Sequence, residues 1–449
     1  MSNTMTNNNE PVLKLSHALR NDLALSPSLA TNERVNQMWA ENKTVYHLGF
    51  GESRFPVHPK LQAALATHSH QKSYLSAQGL PQLRRAIASF YTRRLDLAID
   101  AEQVIVGTGS KSLLFALQLA LDADLILPTP SWVSYAPQAE LLNKPTYWIP
   151  ASADDDYRLT IGALDQTVQR SQNSRQMLLI NSPNCPTGQM LTPEFLQELA
   201  DYCRRNNIIV LSDEIYSLIP HNDQPHHSIA SYYPEGTIVL GGVSKHLSLG
   251  GWRLGMAIVP ATNEGQMLMS ALCRVAGEVW SSPTAPVQYA LVTAYDDPDI
   301  DAYIEECAQI HAIRTHYLWE GIQELNIRCA RPDGGFYLFP NFNDWRAPLN
   351  RLGIYTSVDL AEHLLEEYQL ATLAGTALGT PPEDLSLRLA TSYVDMETAE
   401  NAQVVLAAYR QNPDPDALIR SYHPHTQEVL QRFQAFKQSL MVEQPVAYA

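Results

Sequence analysis

Lys245 and Arg253 stand eight residues apart in Gly242-Val243-Ser244-Lys245-His246-Leu247-Ser248-Leu249-Gly250-Gly251-Trp252-Arg253-Leu254-Gly255, a lysine at a strand end and an arginine inside a glycine-rich turn. A lysine amine is the nucleophile that adds to carbonyl cofactors, and a guanidinium fork matches phosphate oxygens two at a time. The pair suits a phosphorylated aldehyde, held as an imine on Lys245 with its phosphate clamped by Arg253. Other residues with chemistry to offer also follow apolar runs. Asp213 and Tyr216 come after Ile208-Ile209-Val210-Leu211-Ser212, and Gly109, Ser110 and Lys111 come after Val104-Ile105-Val106. The latter three open a helical stretch, where backbone N–H groups and a hydroxyl meet an anion. That run lacks both the third glycine of a dinucleotide fingerprint and the GxxxxGK[ST] spacing of a nucleoside-triphosphate loop, which counts against nicotinamide and ATP.

Positioning these residues takes a series of strands. Short apolar runs alternate with helical patterns from about residue 80 to 300, the layout of βαβ units around a mostly parallel sheet. The expected strands are Gln103–Val106, Asp124–Leu127, Thr146–Ile149, Gln176–Ile180, Ile208–Leu211, Thr237–Leu240 and Gly255–Val259. Helices are expected at Lys111–Leu121 and at Pro193–Asn206, the second opened by Thr192 as cap and a proline in its first turn. Ligands of open α/β sheets collect beyond the carboxyl ends of the strands, where these residues lie.

From Pro298 the pattern changes to long amphipathic stretches, Ile300–Leu325 and Ser357–Tyr368, with short strands near Gly335–Phe339 and Leu385–Ala390. The expected fold is α/β: a mostly parallel seven-stranded sheet flanked by helices, with a smaller α+β domain. The expected division is an N-terminal arm at 1–34, a small domain from 35–75 plus 298–412, a large domain at 76–297, and a C-terminal helical extension at 413–449. Within that extension Leu418, Ile419, Val429, Leu430, Phe433 and Phe436 recur at near-helical spacing and predict one helix over Asp416–Leu440.

The chain has 449 residues, 45% hydrophobic and 17% charged, with a formal net charge of -16. That acidity argues against nucleic acid or an anionic membrane as partner. Five scattered cysteines without a CxxC pair point to a reducing, cytoplasmic compartment. The polar N-terminus resembles no signal peptide, and no apolar run approaches membrane-spanning length. His226-His227 and His68 with His70 lack acidic or cysteine ligands at metal spacing, so no metal is expected.

The segment around Lys245 resembles the pyridoxal-phosphate attachment site of the class I/II aminotransferases, and the resemblance runs from Gly49 to Ser392. It implies a fold-type-I pyridoxal 5'-phosphate enzyme working as a homodimer on a small-molecule amino acid. Lys245, Asp213 and Tyr216 are then catalytic: Lys245 as imine and base, Asp213 beside the pyridine nitrogen, Tyr216 as donor to the phenolic oxygen. Gly109, Ser110, Lys111, Ser244 and Arg253 join them in holding the cofactor, with Trp132, in Pro128-Thr129-Pro130-Ser131-Trp132, stacking on its ring. Tyr74, in Tyr74-Leu75-Ser76-Ala77-Gln78-Gly79, matches the tyrosine that reaches the neighbouring subunit's phosphate. Arg388, in Leu385-Ser386-Leu387-Arg388-Leu389, matches the arginine that grips the substrate α-carboxylate, with Gly51 near the same group. Arg54 stands where relatives often carry an acid and is a candidate contact for the substrate side chain.

Two departures stand out. In Asn181-Ser182-Pro183-Asn184-Cys185-Pro186-Thr187-Gly188 the position before Pro-Thr-Gly is usually an asparagine that donates to the phenolic oxygen, and here it is Cys185, a poor donor. Losing a hydrogen bond to a charged oxygen costs about 1.5–3 kcal/mol, roughly one to two pKa units. Gly242 replaces a serine found in relatives and removes a hydroxyl. The expected activity is transfer of an L-amino acid's amino group to a 2-oxo acid. The alternative is a pyridoxal-phosphate lyase or cyclase acting on a side-chain-functionalised amino acid.

Overall fold

Alternate residues of the apolar strands bury against opposite layers of helices, and that alternation builds the central sheet. Leu125 and Leu127 pack into one cluster with Leu113, Leu117 and Leu211, while the intervening Ile126 joins Leu178, Leu196 and Leu199 on the other face. In this computed structural model residues 25–441 are described apart from 96 and 222–224, together with 13, 15, 16 and 19. Most of the expected arm, and residues 442–449 of the expected extension, lie outside the described residues.

All seven expected strands fall in one sheet. Its spatial order is Val104–Gly107, Gly255–Ile258, Thr237–Gly242, Ile209–Asp213, Gln176–Asn181, Asp124–Pro128 and Thr146–Ile149. Only Gly255–Ile258 runs antiparallel to its neighbours. This direction matters for the site: the parallel strands end at the edge where the antiparallel one begins. Residues after the six parallel strands and residues just before the antiparallel one, Arg253 included, therefore share one rim.

The helices open as their sequences dictate. Thr192 accepts a hydrogen bond from the Phe195 N–H ahead of Pro193–Arg205, and Thr356 and Asp359 form a reciprocal capping box ahead of Ser357–Tyr368. The 27-residue helix Pro298–Glu324 buries apolar residues at both ends against different clusters. Ile300, Ile304 and Ile310 join the cluster beside the large sheet, and Leu318 and Ile322 join a second cluster around Leu338, Leu387 and Leu389. That second cluster supports a three-stranded antiparallel sheet of Leu373–Ala374, Leu387–Ala390 and Tyr337–Leu338, next to a parallel pair of Tyr46–His47 and Leu370–Ala371.

Two expectations need adjustment. The C-terminal segment is two helices, Pro415–Tyr422 and Pro424–Met441, rather than one. Pro424 supplies no N–H and its ring would clash with the preceding turn, so the chain bends at His423. Phe433 and Phe436 are fully buried against Phe342 and Leu364, and removing either ring would cost about 3–5 kcal/mol. At the other end, the helix Pro27–Ala40 runs through residue 34, where the arm was expected to finish, and buries Val35.

Candidate active site

Asp213 is the last residue of its strand and only 3% exposed. Tyr135 donates to its Oδ2 at 2.7 Å, the Ile215 N–H donates to Oδ1 at 3.2 Å, and Asn181 holds its backbone carbonyl at 2.7 Å. Burial pushes the carboxyl up to about 6, against the pull of those hydrogen bonds and of the Lys245 charge. An acid placed so, with one face satisfied, makes no ion pair among the described residues. Tyr135 and Asn181 were not assigned from sequence, although both lie inside motifs that were recognised. Their spacing gives no hint that they turn toward Asp213.

Lys245 lies three residues beyond its strand and donates to the Gly51 carbonyl at 2.7 Å. Its ammonium is 5.5 Å from the Tyr216 ring and 5.7 Å from that of Phe336. Burial lowers the amine to about 8, with the charge of Arg388 working in the same direction. A lysine so shifted is a substantial fraction free base near neutral pH, which a nucleophile and proton acceptor require. Tyr216 is buried and meets Tyr337 edge-on, with their hydroxyls 2.9 Å apart.

At the far end of the rim the chain builds an anion cradle. The helix Ser110–Ala120 starts without a side-chain cap, from Gly109 at φ 88°, so its first N–H groups face outward. A Cβ on Gly109 would lie 2.3 Å from Arg253 Nη2, and one on Gly255 would lie 2.2 Å from the Ser110 nitrogen. Arg253 itself sits in the left-handed region at φ 51°, with Nη1 donating to the Gly250 carbonyl at 2.7 Å. Holding a non-glycine residue there costs energy and brings the guanidinium beside the helix start. Ser244 lies on the same rim, and a Cβ on Gly242 would press within 2.9 Å of the Leu254 carbonyl, which explains the glycine there. The Lys111 ammonium stands 4.7 Å over the Trp132 ring with no hydrogen-bond partner among the described residues, and burial lowers it.

The third part is cationic and buried. Arg388, 1% exposed, donates to the Gly49 carbonyl at 2.7 Å, reaches Ser28 Oγ at 3.5 Å and Cys185 Sγ at 3.8 Å, and lies 5.1 Å over the Tyr337 ring. Its Nε is buried without a partner among the described residues. A guanidinium left partly unsatisfied in the interior calls for a carboxylate. Gly51 lets the backbone pass close beside this group, since a Cβ on it would fall 1.8 Å from the Tyr337 hydroxyl. Tyr337 also escaped assignment from sequence; Gly334-Gly335-Phe336-Tyr337 reads as an ordinary short strand.

Two candidates sit apart from this cluster. Arg54 directs Nε to the Met396 carbonyl at 2.9 Å, Nη1 to Glu52 at 2.7 Å and Nη2 to the Glu397 carbonyl at 2.9 Å, and it stacks on Tyr393. Tyr74 is 89% exposed in the single chain.

One buried acid, one depressed lysine, an uncapped helix start with a forced arginine, and a half-satisfied buried arginine fit a phosphorylated pyridine aldehyde and an amino-acid carboxylate. The family described as aminotransferase class I and II matches residues 43–406. An aspartate aminotransferase of Geobacillus stearothermophilus is 32% identical over 386 residues, covering 84% of this chain and 95% of that protein. The corresponding enzyme of Bacillus subtilis is 31% identical over the same shares. Among solved structures, the aspartate aminotransferase of Thermus thermophilus with maleate superimposes with a TM-score of 0.76 at 25% identity, covering 89% of this chain and 99% of that one. The aromatic aminotransferase of Pyrococcus horikoshii gives 0.72 at 26%, over 85% and 99%. With sheet, rim and relatives in agreement, the chain belongs to the class I and II aminotransferases and is a pyridoxal-5'-phosphate-dependent transferase.

Proposed function

We propose that this aminotransferase takes an acidic L-amino acid as donor, returns the amino group to a 2-oxo acid, and does so as a homodimer in the cytosol. The observation that carries the substrate reading is the pair of incompletely used cations, Arg388 with its buried free Nε and Lys111 without a hydrogen-bond partner among the described residues. One suits the α-carboxylate. The other suits a second carboxylate on the side chain. The relatives named above support this, two being aspartate aminotransferases and the Thermus structure holding the dicarboxylate maleate. Arg54, whose three nitrogens already have protein partners, would meet a substrate side chain only through its remaining N–H groups.

The bound cofactor supplies the electron sink that lets the substrate Cα–H bond break. Asp213 holds a proton on the ring nitrogen, and Tyr216 donates to the phenolic oxygen. Trp132 stacks on the ring. Gly109, Ser110 and Lys111 would offer the phosphate backbone N–H groups at the helix start, Ser110 and Ser244 their hydroxyls and Arg253 its charge, while the Lys111 ammonium is left for the substrate side chain. Arg388 and the Gly51 backbone fix the α-carboxylate and so orient the bond to be broken. The Lys245 amine, held near 8, would take up the Cα proton. Tyr74, exposed in one chain, reaches the partner's phosphate. In this reading the large unit spans 76–297, the small one 35–75 plus 298–412 with the helix Pro27–Ala40 crossing its start, and the C-terminal one begins at 413. The described cysteines are free thiols, which supports a reducing compartment. No helix among the described residues is long and apolar enough to cross a membrane.

The test is a donor screen without acceptor. Aspartate and glutamate should convert the bound cofactor to its amine form, seen as loss of visible absorbance, far faster than phenylalanine or leucine. Equal rates for all four would reject the acidic preference. Release of an elimination product with the aldehyde form retained would favour a lyase, which no observation now supports.

A further inference from the structure

The hydroxyls of Tyr216 and Tyr337 lie 2.9 Å apart in a buried site, and among the described residues neither oxygen has another hydrogen-bonding neighbour but the Cys185 thiol beside Tyr337. Two phenols carry two O–H donors. With no acceptor bound one of them is spent on their mutual contact, and an acceptor placed between the two hydroxyls would let both turn to it. A thiol is too weak an acceptor to fill that role. The position is also fixed: Tyr337 pairs through its strand with Ala390, two residues from Arg388, whose guanidinium caps its ring. Phe336 and Tyr216 wall it in edge-on or tilted, and the missing side chain of Gly51 is the space its hydroxyl fills.

We infer that Tyr337, rather than Cys185, is the second hydrogen-bond donor to the phenolic oxygen of the cofactor, acting as a pair with Tyr216. This rests on the reading of the rim as the cofactor site. The thiol at 185 then serves as a small neighbour that leaves the Tyr337 hydroxyl its place, with Arg388 Nη1 3.8 Å from its sulfur. A donor on that oxygen stabilises its negative charge most when the nitrogen linking Lys245 to the cofactor has lost its proton. It therefore lowers the pH at which that nitrogen titrates.

The experiment is a pH titration of the bound chromophore in holoenzyme, over the four members of a double-mutant cycle: wild type, Y337F, C185N and C185N/Y337F. Y337F should raise the midpoint by about one pH unit, the scale set by one hydrogen bond to a charged oxygen. C185N alone should shift it by less than about a third of that, because the oxygen already has its donors. In the Y337F background the new amide should bring the midpoint most of the way back. A Y337F midpoint equal to that of wild type, or a C185N shift of the same size with and without the Tyr337 hydroxyl, overturns the inference. Circular dichroism and cofactor content check that each variant folds and loads; should Y337F fail either check, the C185N shift in the wild-type background decides, and a shift of a full unit overturns the pairing. Wild-type protein that never colours, and gives no borohydride-fixed adduct on Lys245, defeats the cofactor reading itself, a result distinct from any in the cycle.

Discussion

The two poles of the site are built from different physics. At the ring pole Asp213, Tyr216 and Tyr337 are buried, and protein packing sets their protonation: Asp213 is pushed up to about 6 and both tyrosines rise. At the phosphate pole Arg253 is exposed, the helix starts uncapped, and the work is done by charge and backbone N–H groups. The contrast teaches where each pole is sensitive. Desolvated groups act through small numbers of strong, unscreened interactions, whereas exposed cations act additively and weaken with salt.

Four variants or conditions sharpen that contrast. The largest effect belongs to Lys245: K245A should lower turnover about 10³-fold or more and abolish borohydride fixation, because it removes both the covalent anchor and the general base. D213N comes next, with kcat down about 10²–10³-fold while the cofactor still binds, the signature of a charge aimed at the reacting ring. R253A should instead weaken cofactor affinity about 10–100-fold, leave kcat at saturation nearly intact, and make the remaining affinity less salt-dependent. A kcat loss in R253A as deep as that of D213N would erase the distinction between the poles. Smallest is the pH effect. Burial depresses the Lys245 amine to about 8, so its neutral, nucleophilic form grows as pH rises toward that value. The rate at which apoprotein recovers visible absorbance on adding pyridoxal phosphate should climb from pH 7 and level off near pH 9. A climb that continues toward the ordinary lysine value would show an unshifted amine.

The legibility of the two poles in the sequence also differs. Strand-end residues such as Lys245, Asp213 and Gly109 could be read because a sheet with parallel strands sends every strand end to one edge, so their order along the chain already implies proximity. The boundaries moved by a residue or two at most. Ser357–Tyr368 was found to the residue, its capping box and αL terminus at Gln369 being local signals. Tyr337 and Tyr135 were not readable as site residues. Their importance arises from approach across more than 70 residues of chain, Tyr135 to Asp213 and Tyr337 to Tyr216, and side-chain pairing at that range leaves no periodic trace. The split of the last helical stretch was legible in principle, since Pro424 announces it, but the apolar spacing on both sides concealed the break.

Tyr74 carries a consequence for how the enzyme fails. Tyr74 is 89% exposed in one chain, and if it reaches the partner's phosphate as proposed above, each catalytic centre draws its parts from two polypeptides. In a mixed pair of K245A and Y74A chains both lesions then fall on the same centre and leave the other intact. Two inactive preparations, K245A and Y74A, should regain activity when unfolded together and reassembled, with about one centre in four rebuilt from undamaged parts.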